Sequence, residues 1–156
     1  GGNENEIVVN TPAKETDAPT EPMSDSGVLD GCEVTIGEME FIEDYDGNPA
    51  VLIHFTFTNT SEENQSAMFT LNYTAYQNGI GLESTVVADD SVHNSDDLMK
   101  EIQPGATIEL TEAYLLSSDT APVEFYVTDI MSINGTKLGK NFEVSPDGIS
   151  WTIRLW

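Results

Sequence analysis

The sequence predicts an all-β protein, an antiparallel β-sandwich of seven or so short strands. Three observations predict it. From Ala50 to Thr60 the apolar residues Val51, Ile53, Phe55 and Phe57 recur at every second position, with His54, Thr56 and Thr58 between them. The same alternation returns along the chain in short segments, separated by turn-forming Gly, Asn, Asp and Pro. No stretch carries a convincing helical period.

The elements follow in order. From Gly1 to about Gly31 the chain is Asn, Glu, Thr, Pro, Asp and Ser, with Ile7, Val8 and Val9 as its one apolar cluster. Such a segment cannot bury enough surface to offset ordering costs of about 1–2 kcal/mol per residue. It reads as a disordered acidic tether, and the folded domain is expected from Cys32 to Trp156. Glu33 to Ile42 is a strand whose apolar parity slips between Ile36 and Met39, which predicts a β-bulge near Gly37. Asp46-Gly47 turns the chain into the Ala50–Thr60 strand, where Leu52 softens the alternation.

Met68 to Gln77 is expected as a strand that turns Phe69, Leu71, Tyr73 and Ala75 to one face. Gln77-Asn78-Gly79 then makes a tight turn into a short further strand, Ile80 to Val87. Ala88 to Met99 is irregular, with Ser95 placed to cap a helical turn. Thr107 to Leu116 alternates through Ile108, Leu110, Tyr114 and Leu116, interrupted by Glu112. Val123, Phe125 and Val127 mark another strand. Asn134-Gly135 and Leu138-Gly139 read as a hairpin or long loop, opening an extension from about Met131 that ends in a strand through Ile149, Trp151, Ile153 and Leu155.

Composition excludes several functions. Five basic residues stand against 28 acidic ones, a formal net charge of −23. Nucleic acid is excluded as a partner because phosphate binding needs a Lys/Arg stripe. An anionic membrane surface would repel the chain for the same reason. No run approaches the roughly 20 apolar residues of a membrane span. Cys32 is the one cysteine, so no intrachain disulfide forms; it is expected to open the first strand as a partly covered thiol, with Glu33 beside it disfavouring reactivity.

Two sets of residues are candidate sites. Asp44, Asp46 and Asn48 place oxygen ligands at alternate positions before a turn, which suits calcium, although the closing glutamate of an EF-hand is missing. The bland reading is an acidic hairpin tip. Tyr76, Tyr126 and Trp156 fall on the less apolar parity of their strands and would make an aromatic platform for a glycan or peptide, unless an extra C-terminal strand covers them. Asp89, Asp90, Asp96 and Asp97 form an acidic loop, but adjacent carboxylates do not converge on one reacting bond. His54 and His93 lack partners at zinc-ligand spacing. There is no Gly-x-Ser-x-Gly elbow and no phosphate-binding glycine loop, so no catalytic residue is assigned and no cofactor beyond calcium is implied.

The strings Phe55-Thr56-Phe57-Thr58-Asn59-Thr60, Gln77-Asn78-Gly79, Ile102-Gln103-Pro104-Gly105 and Ala113-Tyr114-Leu115-Leu116 together resemble the secreted telokin-like, immunoglobulin-like lipoprotein domains of bacteria, over about Val34 to Ile130. The resemblance implies an immunoglobulin-like antiparallel β-sandwich of about seven to nine strands, export and an extracellular, cell-surface location, with membrane attachment only through a lipidated cysteine upstream of Gly1. It implies no catalytic residues. The expected function is thus a non-enzymatic binding module for an unknown protein or glycan of the cell envelope. A calcium-dependent surface protein or hydrolase accessory domain is the alternative.

Overall fold

The computed structural model describes residues 23–131 and 136–145. Among these, nine strands form two antiparallel sheets packed face to face, with one short α-helix. The five-stranded sheet runs in the order β1 (Ser26–Leu29), β2 (Cys32–Glu43), β3 (Pro49–Asn59), β7 (Thr107–Leu115), β6 (Ser84–Thr85). The four-stranded sheet runs β9 (Leu138–Phe142), β8 (Val123–Asp129), β4 (Leu71–Gln77), β5 (Ile80–Gly81). The all-β sandwich expected from the sequence is therefore the fold.

β3 lies at the centre of the larger sheet, paired to β2 on one side and β7 on the other. Its Val51, Ile53, Phe55 and Phe57 point inward and are at most 1% exposed. They meet Leu71, Ala75, Phe125 and Val127 of the facing sheet in one continuous core. The Phe55 ring sits 5.6 Å from Tyr73 and 5.8 Å from Phe125, centroid to centroid. Leu52 points the other way yet is equally buried, because Ile42, Ala50, Ala113 and Val87 form a second small cluster on the outer face. That covering explains the softened alternation.

The β2–β3 register shifts between Ile36 and Met39, so the bulge lies where the parity slips. A side chain on Gly37 would begin 3.2 Å from the His54 carbonyl oxygen, which accounts for glycine there. Asn78 and Gly79, at φ 55° and 79°, make the β4–β5 turn with both central residues left-handed, the type that matches strand twist.

Four expectations are corrected. The ordered sheet begins at Ser26, inside the segment expected to be a tether: β1 pairs with β2, and Leu29 is 2% exposed. A four-residue edge strand needs only one or two apolar side chains, so an acidic composition hides it. Second, Ala67–Thr70 is a helical turn (α1) that leaves Phe69 73% exposed, and β4 starts only at Leu71. Third, Ile80 to Val87 is not one strand. β5 ends on one sheet and β6 begins on the other, the chain crossing between them at Leu82 and Glu83. Fourth, Asn94, not Ser95, caps the 3₁₀ turn Ser95–Met99, its side chain accepting from the Asp96 N–H.

Cys32 does open β2, but it is fully buried, and its thiol is pushed up to about 12 by burial and then by the carboxylates of Asp129 and Asp30. Such a thiol is inert toward oxidants and electrophiles. The C-terminal strand expected around Trp151, the Asn134-Gly135 turn and the residues before Met23 lie outside the described residues.

Gln77, buried to 1% exposure, holds the loop between β7 and β8. Its Oε1 accepts from the N–H groups of Ser117 and Ser118 and from the Ser117 hydroxyl, while Nε2 donates to the carbonyls of Ser118 and Ala121. Gln77→Leu keeps the volume and strands these partners. We expect a loss of roughly 2–3 kcal/mol, read as a lower urea midpoint at unchanged slope.

Candidate functional site

The calcium residues do not leave Asp44 free for a cation. Asp44 is buried to 8% exposure, whereas Asp46 and Asn48 are exposed. Oδ1 of Asp44 accepts from the backbone N–H groups of Asp46 (2.9 Å) and Asn48 (2.8 Å), and Oδ2 accepts from the Thr85 hydroxyl at 2.9 Å. Burial pushes this carboxyl up, but the Asn48 N–H, the Thr85 hydroxyl, the Asp46 N–H and the Asn48 side-chain amide together outweigh it, and the net shift is downward. The side chain closes its own hairpin and ties it to β6. A cation would have to displace these donors, so millimolar calcium is expected to leave the melting temperature unchanged; an upward shift would restore the metal reading.

The platform tyrosines are brought together. Tyr76 and Tyr126 stand on the outer face of the four-stranded sheet with ring centroids 5.9 Å apart. Each also lies opposite a glycine in the strand register, Tyr76 across from Gly81 and Tyr126 across from Gly139. A Cβ on Gly139 would sit 2.7 Å from the Tyr126 ring and 2.5 Å from Met23 Sδ. Aromatic cover over a cross-strand glycine is a packing device. The Lys137 ammonium, 4.3 Å above the Tyr126 ring, occupies a face that a ligand would use. Trp156 lies outside the described residues.

The two lateral edges of the sandwich differ. On the β1/β9 side the sheets are laced together: Gly139 donates its N–H to the Ser24 carbonyl at 2.9 Å, and Lys140 donates to the Gly37 carbonyl at 2.9 Å. On the opposite side, where the chain crosses from β5 to β6, there is a pocket of about 280 Å³ lined by Tyr73, Tyr76, Leu82, Glu112 and Tyr114. That volume lies just below the roughly 300–1,000 Å³ of small-molecule sites.

Glu112 is the chemical centre of this edge. In the β3–β7 register it stands opposite Ile53, on the inward parity of Leu110 and Tyr114, so an acid points where the pattern calls for a hydrophobe. Its side chain is 12% exposed. Oε1 accepts from the Ala113 N–H at 3.2 Å and lies 3.6 Å from Nε2 of His93. Among the described residues Oε2 has no protein donor, and neither do the phenol oxygens of Tyr73 and Tyr114 have a partner. Burial pushes the Glu112 carboxyl up to about 7. The Tyr73 phenol is raised to about 12 and that of Tyr114 is also raised, in both cases by burial and then by Glu112.

His93, which the sequence placed in an acidic surface loop, is instead buried at the free edge of β7 beyond the end of β6. Nδ1 shares a 2.7 Å hydrogen bond with the Thr111 hydroxyl, and Nε2 is buried without a hydrogen-bond partner. Hydroxyl, imidazole and carboxylate thus stand in the order of a hydrolase triad. The 3.6 Å separation is not a hydrogen bond, and burial holds the imidazole below its ordinary pKa against the pull of Asp97. A general base works best with a pKa near the working pH. We read His93 as the anchor that fastens its loop to β7.

A larger groove of about 340 Å³ lies on the outer face of the five-stranded sheet, floored by His54, Thr56, Glu109 and Thr111. Many of its polar groups are already engaged: His54 with Glu40, Thr111 with His93, Asp97 with Lys100. The crossover pocket, smaller but with three unpaired oxygens, is the better candidate.

Fold and pocket together define a two-sheet antiparallel β-sandwich with a small carboxylate- and phenol-lined pocket at one open edge. By the match of its residues 7–129, the chain belongs to the DUF5067 family, a domain of unknown function. No curated protein matches the sequence. Solved structures match in fold: a β-sandwich protein from Clostridium difficile 630, at 20% identity and TM-score 0.57, covers 84% of this chain and 99% of its own. A protein from Enterococcus faecalis, at 21% identity and TM-score 0.54, covers 78% and 90%. Another from Bacillus subtilis, at 8% identity and TM-score 0.50, covers 80% and 99%.

Proposed function

We propose that the chain is an exported, surface-tethered, non-enzymatic binding module of the bacterial cell envelope, and that the pocket at the β5–β6 crossover is its ligand site. The observation that carries this reading is the inward Glu112, which lines one pocket with Tyr73 and Tyr114, whose phenols have no partner among the described residues. A buried acid is costly to the fold, and a perturbed titratable group in a cleft is the mark of a site kept for a ligand. The likeness to secreted telokin-like lipoprotein domains supports export and tethering, and the net charge of −23 suits a self-repelling surface protein.

The test is a solution NMR screen of the isotopically labelled chain against small molecules and cell-envelope fragments. Shifts are expected to cluster at Tyr73, Leu82, Glu112 and Tyr114. Turnover of a library member, abolished by Thr111→Val or His93→Asn, would overturn the non-enzymatic reading. Surface labelling of intact cells carrying the full-length protein tests its location, and label excluded until lysis would reject surface exposure.

A further inference from the structure

The crossover pocket, if it is the ligand site, also defines what it takes. We infer that it holds the ammonium head of a small organic cation, with Glu112 as counter-charge and the Tyr73 and Tyr114 phenols as supporting oxygen and ring contacts. Among the described residues Glu112 has no lysine to pair with. Three lysines lie among the described residues, and each is committed elsewhere: Lys100 to Asp97 at 2.9 Å, Lys137 over the Tyr126 ring, and Lys140 to the Gly37 carbonyl. His93 stands behind the carboxylate, but its imidazole is buried, and burial lowers its pKa and so disfavours the charged form. Charge on Glu112 is thus balanced either by a proton or by something that enters the pocket.

Chemistry then narrows the entrant. An anion would face the carboxylate and a chain of net charge −23. A neutral molecule would leave the carboxylate desolvated and uncompensated. A hard metal ion asks for six or more oxygens, and among the described residues no three His, Cys, Asp or Glu side chains group together. An organic ammonium fits on each count. It pairs with Oε2, its alkyl part packs on Ala75 and Leu82, and tyrosine rings attract it. The acidic surface raises its local concentration.

The experiment titrates the labelled chain with choline chloride, with the neutral isostere 3,3-dimethyl-1-butanol and with Nα-acetyl-lysinamide, at about pH 8, where Glu112 is ionised. The readout is the ring signals of Tyr73 and Tyr114. Saturable shifts are expected with choline or the lysine amide and not with the alcohol, and whichever ammonium binds more tightly tells a free amine from a peptide side chain. Glu112→Gln, which keeps the shape, should weaken binding roughly tenfold to a hundredfold, and Tyr73→Phe should weaken it less. Binding should also fade as the pH falls through the titration of Glu112. Equal binding of the alcohol, or an unchanged affinity in Glu112→Gln, overturns the cation and leaves the pocket standing. Silence toward all three probes overturns the pocket as well.

Discussion

Phe55→Ala is expected to lower the unfolding free energy by about 3–5 kcal/mol, while Phe69→Ala changes it by no more than about 0.5 kcal/mol. Both phenylalanines lie on segments that alternate, and on sequence alone both belong to the core. Phe55 is 1% exposed at the middle of the central strand, where its ring meets those of Tyr73 and Phe125 from the opposite sheet. Removing it forfeits burial and leaves a cavity between two sheets whose backbones are fixed by hydrogen bonds to their neighbours, so little collapse can refill it. Phe69 sits on the helical turn before β4 and is 73% exposed. Against a typical stability of about 5–15 kcal/mol the first loss is roughly a fifth of the total or more. Denaturant melts of the two variants under one buffer check the contrast. Equal losses would place Phe69 in the core and invalidate the boundary at Leu71.

That contrast marks where sequence is informative here. Period-two burial identifies β3, the Gly37 bulge and the Asn78-Gly79 turn, because each is a local consequence of backbone geometry. Partners far along the chain decide the rest. Asp44 carries the same residue pattern whether it binds a cation or its own hairpin, and the choice is made by Thr85, 41 positions away. Gln77 looks like a turn residue until the loop after β7 folds onto it. The tyrosines look like a platform until each is seen across from a glycine.

The crossover site was half legible. Glu112 shares the parity of Ile108, Leu110 and Tyr114, and an acid on the apolar parity of a strand is a flag in its own right. His93 had no comparable one, since only the covering of the β7 edge brings its loop to Thr111 and Glu112.

Glu112→Gln is expected to stabilise the free protein, and to do so only at the alkaline end. The groups facing Glu112 are His93 from the covering loop, Tyr73 from β4 and Tyr114 from its own strand. Burial raises its pKa from the usual 4.5 to about 7. Below the lower value the carboxyl is protonated in both folded and unfolded chains and behaves much as the amide does. Between the two values the unfolded chain releases its proton while the folded chain keeps it, so stability falls as the pH rises. Above about 7 the full penalty is present, on the order of 3 kcal/mol. The stability difference between wild type and Glu112→Gln should therefore be small near about pH 4, open through the interval, and level off near about pH 8. His93, whose pKa is lowered by burial, acts in the opposite sense by costing stability as the pH falls, and it does so in both proteins. Thermal melts of the pair across this range separate the two. A stabilising cation should close the gap by raising wild type alone, which ties this stability measurement to the binding one; a gap that is flat with pH would mean that Glu112 is ionised and already compensated within the fold.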